Sequence, residues 1–171
     1  MKILKISLIP VLLFLNYTHL FSQVEDAVII PPINLNGPRV GFTYIGPGDV
    51  ADRLNENDIS QFISQFGWQF ETRFFTLDNG SCGLVEGVVL LGGLEQNTIL
   101  PSASFLIGLR GQKGIEFGFG PNLSVAGASF VFAVGITLKT QNIFFPINLA
   151  MVPSKDGYRF SLLFGFNARK K

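Results

Sequence analysis

Bulky apolar residues recur at every second position over runs of about ten residues, and that period confines the chain to β-strands. Phe66, Trp68, Phe70, Thr72 and Phe74 fall on one face of such a run, with Gly67, Gln69, Glu71 and Arg73 on the other. Ala126, Ala128, Phe130, Phe132, Val134, Ile136 and Leu138 share a face in a later run, and Tyr158, Phe160, Leu162, Phe164 and Phe166 in the last. Eight runs follow, at 39–45, 66–76, 82–92, 99–110, 115–121, 127–139, 142–152 and 157–167; the third is too apolar to phase by itself. Only 48–65 breaks the pattern, where Val50, Leu54, Phe62 and Ile63 suit a short amphipathic helix in a long loop. The expected fold is all-β, an eight-stranded antiparallel up-and-down barrel.

Two turns set expected registers. Asp78-Asn79-Gly80-Ser81 suits a two-residue type I′ hairpin, which would set Phe74 opposite Val85, Trp68 opposite Leu91 and Arg73 opposite Glu86. Gln112-Lys113-Gly114 suits a three-residue loop with Gly114 in the left-handed region, which sets Leu109 opposite Phe117 and Arg110 opposite Glu116. Pro146 removes a ladder donor from the seventh run, so a bulge or pairing opposite Gly135 is expected there.

Residues 1–22 read as a signal peptide, with Lys2 and Lys5 before the apolar stretch Ile6 to Leu15. Residues 23–38, with Pro31, Pro32 and Pro38, read as an extended N-terminal arm, and 39–171 as the barrel domain with its long loop at 46–65. Cleavage after Ser22 would remove the only His, His19, leaving Cys82 as the one soft ligand, so no metal site, cofactor or histidine-dependent catalysis is expected. A net charge of +1 argues against nucleic acid as a partner.

Alternation alone does not say which face is inside. Charged residues make up 15% of the chain, against about 25% in ordinary soluble domains, too few to cover a wetted surface. The face opposite the bulky one carries Gly, Ser, Thr, Asn and paired Glu and Arg, which suits the narrow lumen of an eight-stranded barrel. Tyr44, Trp68 and Tyr158 fall near the ends of the expected strands, where interfacial aromatics sit. A monomeric barrel in outer-membrane lipid is the first reading, with short periplasmic turns and longer outward loops. The alternative is a secreted or periplasmic soluble barrel with its Phe-rich faces turned inward around an apolar ligand.

The leader ending Phe21-Ser22-Gln23 and a last strand alternating aromatics to Phe166 resemble small outer-membrane β-barrels of Gram-negative bacteria. The stretches Ser64 to Glu71 and Phe145 to Leu149 resemble a group of such exported proteins. The resemblance covers most of the chain beyond the leader and implies an outer-membrane location. It brings no known activity.

Glu71, Arg73, Glu86, Arg110, Glu116 and Arg159, with Arg39, form the one charged cluster worth a hypothesis. They either gate an ion or water path or form a charge-balanced plug. The plug is favoured, because one unpaired buried charge costs several kcal/mol. Each Glu has an Arg within reach in sequence pattern, which leaves no free carboxylate pair for acid–base catalysis. A non-enzymatic structural or surface-interaction role, carried by the 46–65 loop, is expected, with any protein partner left open.

Overall fold

The computed structural model describes residues 34–140, 143–154 and 156–168. The expected signal peptide 1–22 and residues 23–33 of the expected arm lie outside them. Eight antiparallel strands follow in order: β1 Gly37–Ile45, β2 Phe62–Thr76, β3 Cys82–Gly92, β4 Leu100–Arg110, β5 Ile115–Ser124, β6 Gly127–Thr140, β7 Ile143–Val152 and β8 Arg159–Gly165. Each pairs with its neighbours in sequence, and β8 also pairs with β1, so the sheet closes on itself. A two-residue strand, β9 (Asn167–Ala168), continues along β7.

Helix α1 (Asp49–Glu56) stands in the β1–β2 loop, and a 3₁₀ turn (Leu94–Gln96) in the β3–β4 loop. Asp49 and Asp52 lie in the first turn of α1 and Arg53 in its last, each with the sign the helix dipole favours. Val50, Ala51 and Leu54 share the buried face and pack on Ile45 and Ile63 over the barrel mouth. Phe62 and Ile63, expected in this helix, instead open β2. This lengthens β2 beyond the expected run, so Trp68 lies in mid-strand rather than near an end.

The bulky face points outward on every strand. Phe66, Phe70 and Phe130 are 57%, 58% and 60% exposed, whereas Arg39 and Glu71 on the inner face are 0% and 2% exposed. The inward-facing Phe of the soluble alternative is thereby overturned. Phe144, at the tight-turn end, is the one buried Phe among the described residues; a lumen lined with Phe would not fit, because eight strands enclose a space only wide enough for side chains to fill, and here Arg39 reaches the α-carbon side of Gly165 and Glu116 that of Gly135. Both glycines give up the volume that the long polar side chains occupy.

The β4–β5 hairpin has the expected register, with Arg110 opposite Glu116, Leu109 opposite Phe117 and Gly114 at φ +80°. The β2–β3 hairpin does not. Leu77 and Ser81 close a three-residue loop in which Gly80 is at φ +83° and Asn79 is not in the left-handed region. The turn is therefore not type I′. A bulge between Arg73 and Phe75 shifts the ladder once more. The two one-residue shifts keep every side chain on its face yet change its partner: Glu71 lies opposite Glu86, Arg73 opposite Leu84 and Trp68 opposite Val89.

Proline marks two further breaks in the ladders. Pro146 lies opposite Thr137 on the β6 side, with no bulge, while Gly135 faces Asn148. On its other side the pairing of β7 skips from Ile147–Phe164 to Phe144–Asn167, which is why the last strand divides into β8 and β9. Pro121 has no N–H to give Phe105, and the β4–β5 ladder is interrupted there between Ser104–Asn122 and Ile107–Phe119.

Candidate functional site

The lumen is divided along the barrel axis into a charged half, at the end with the tight turns, and an apolar half, at the end with α1. Arg110 organises the charged half. Its Nη1 and Nη2 donate to both carboxylate oxygens of Glu71 at 2.7 and 2.6 Å, and its Nε donates to Glu116 at 2.8 Å. A bidentate guanidinium–carboxylate pair of this kind is both strong and directional. Asn148 donates to the other Glu116 oxygen at 2.5 Å.

Arg39 occupies a second position in this half without touching a carboxylate. It donates to Gln69 Oε1 at 3.0 Å and to the carbonyls of Pro38 and Leu35 at 2.9 and 3.0 Å. Gln69 passes the contact on, donating through Nε2 to Glu86 at 2.7 Å. Residues 34–36 of the expected arm fold into this end of the barrel. Leu35 is fully buried against Phe144, its N–H donates to Glu71 at 3.0 Å, and the Asn36 side chain accepts the Glu71 N–H. Asn167 from β9 donates to the Asn36 carbonyl, fastening the two ends of the described chain side by side.

Of the remaining expected cluster members, Arg73 lies outside the network and donates to Asn34 at 3.1 Å. Arg159 sits at the opposite end, on Ser124 and Asn122 at 2.7 and 3.0 Å. Tyr44 and Tyr158 are at the α1 end, on the outer surface with Trp68. Sequence reasoning missed Gln69, Asn122, Asn148, Asn167 and Leu35. The first three stand on inward phases of the alternation, a signal that was legible but carried no charge to draw attention.

The apolar half is walled by Val88, Leu90, Leu106, Val131, Val152 and Leu163. It encloses a cavity of about 110 Å³ whose lining includes Gln69, Glu86 and Asn148 towards the charged half and Val50 and Leu54 of α1 above. A second recess, of about 210 Å³, lies between α1 and the β5–β6 turn and shares Val50, Leu54, Val125 and Ala126 with the first. Outside, the same end of the barrel carries exposed Asp49, Asp52, Glu56, Asp58, Glu95 and Asp156. Arg53 is the one exposed base among the described residues of these loops.

No protein-family profile matches the chain, and no curated protein does either. The chain is similar to the crystal structure of Ail, the attachment invasion locus protein of Yersinia pestis, in complex with the heparin analogue sucrose octasulfate. The two share 11% identity over 81% of this chain and 100% of that one, with a TM-score of 0.31. The assignment of a closed eight-stranded barrel rests on the strand registers and not on this likeness.

Proposed function

We propose that the chain is a monomeric, non-enzymatic barrel of the bacterial outer membrane, lying in lipid and presenting its α1 end to a partner at the cell surface. The outward face carries this reading. Among the described residues, thirty large apolar side chains are exposed on the strands, with members from all eight. Isolated apolar residues on a soluble surface need no explanation, but a belt around the whole circumference would drive aggregation in water. A closed barrel leaves no strand edge unpaired in lipid. Strands of 7 to 15 residues bracket the length of a tilted crossing.

The role is structural or one of surface interaction, since the charged half is occupied by Arg110, Glu71, Glu116 and Arg39 in mutual or backbone contacts. The six exposed acids of the α1 end suit a partner carrying positive charge. The test is fractionation of cells expressing the full chain, followed by detergent gels of boiled and unboiled samples. A detergent-extracted outer-membrane band that changes mobility on boiling is expected. A band released without detergent would overturn the membrane assignment.

A further inference from the structure

Glu86 stands apart from the other lumen carboxylates. Arg110 binds Glu71 and Glu116, whereas Glu86 receives only the Gln69 amide, and no cation lies within ion-pair distance of it among the described residues. Its Oε2 points towards Gly118, where an added β-carbon would lie 3.6 Å away. Across the lumen, on β7 and in the same cavity lining, Asn148 has its Nδ2 committed to Glu116, which fixes the amide and leaves a buried Oδ1 with no donor among the described residues. The cavity thus has a base of acceptors, an aliphatic middle and, towards the α1 end, a polar rim where Arg159 is held on Ser124 and Asn122. Buried acceptors without donors, and a carboxylate without a cation, are each costly arrangements.

We propose that this cavity is a binding site for a primary alkylamine, with its ammonium on Glu86 and Asn148 and its chain among Val88, Leu106, Val131 and Leu163. An ammonium supplies three donors and no acceptor, which answers what the base of the cavity lacks. The volume of about 110 Å³ limits the enclosed part to a few carbons, since a dry apolar cavity of about 150 Å³ accommodates benzene. A longer chain would continue into the recess beside α1, which shares four lining residues with the cavity. The recess itself is lined by Arg53 and Asn57 beside its apolar residues, so it would take the alkyl end of the ligand and not its ammonium. This site goes beyond the membrane assignment and does not depend on it.

The test uses the full-length barrel with its Val and Leu methyl groups isotope-labelled, in detergent micelles, titrated with hexylamine and separately with hexanol. The outward methyls of Val40, Val89 and Leu91 report micelle partitioning, and the inward methyls of Val88, Leu106, Val131 and Leu163 report the lumen. Saturable shifts at the inward set, with hexylamine at least tenfold tighter than hexanol, are expected. Glu86→Gln should abolish that preference and Ala133→Leu should block both ligands, while a retained heat-dependent gel shift shows that each variant still forms a barrel. Equal affinity for amine and alcohol in the unaltered protein overturns the ammonium assignment. Shifts confined to the outward methyls overturn the site itself.

Discussion

The two halves of the lumen solve the same filling problem with opposite chemistry. The charged half closes with a guanidinium held by two carboxylates, a second arginine on amides and carbonyls, and the inserted Leu35. The apolar half closes loosely with aliphatic side chains under a short helix and retains a cavity. Polar contacts are directional, so the charged half admits few alternative packings. Aliphatic walls are tolerant of rearrangement, which suits a space that changes occupancy. Rigidity at one end and spare volume at the other divide anchoring from binding.

If that division is right, the largest loss comes from the charged half. Arg110→Ala should cost about 3–5 kcal/mol, the usual penalty for stranding a buried charge. Urea-induced unfolding of the refolded barrel in detergent, read on unboiled gels, measures it. A cost under about 1 kcal/mol would mean that water replaces the guanidinium freely and that the two halves are alike. In the apolar half Leu54→Ala should cost about 2 kcal/mol, the low end for leucine truncation, because its side chain already borders free volume. A loss matching that of Arg110→Ala would break the comparison from the other side. Arg73→Ala, at the rim on Asn34, should stay within about 1 kcal/mol.

The fold was legible because one feature, alternation, was repeated on eight strands and fixed the facing of each. Register was legible only where the turn was unambiguous. Gly114 as the third residue of its loop admits one geometry, whereas Asn79-Gly80 satisfies both a two-residue turn and a three-residue loop that needs a left-handed conformation only at Gly80. The bulge was hidden because Phe74 and Phe75 are both apolar and both face out, so the extra residue leaves no polar misfit in the pattern. The ion-pair partners were hidden for a different reason. Pairing across one ladder matches Arg110 to Glu116, but its bidentate partner Glu71 belongs to β2, beyond β3, and is reached through the lumen. Contacts across a barrel interior depend on how far the strands are staggered, which no local motif states.

The smallest expected effect concerns how the loops at the α1 end are fastened. Glu95, outside the strands, accepts bonds from the Ser64 N–H, at 2.8 Å, and from the Ser64 hydroxyl, which join the β3–β4 loop to the start of β2. Desolvation, the largest single influence, acts to raise its pKa, but these bonds, with those of its own backbone and the Gln96 amide, together outweigh it and hold the pKa down at about 2. An ordinary Glu titrates near 4.3, so the folded form binds its proton less readily than the unfolded one. The fastening is therefore complete above that ordinary value and is lost as pH falls towards about 2. Amide hydrogen exchange of residues 93–98 should accelerate across this window once the intrinsic pH dependence is divided out. Glu95→Gln should show no such step, and the Arg110 network, remote from this loop, should leave the profile unchanged. A step of equal size in Glu95→Gln would place the titration elsewhere and would join the loop to the lumen that the comparison separates from it.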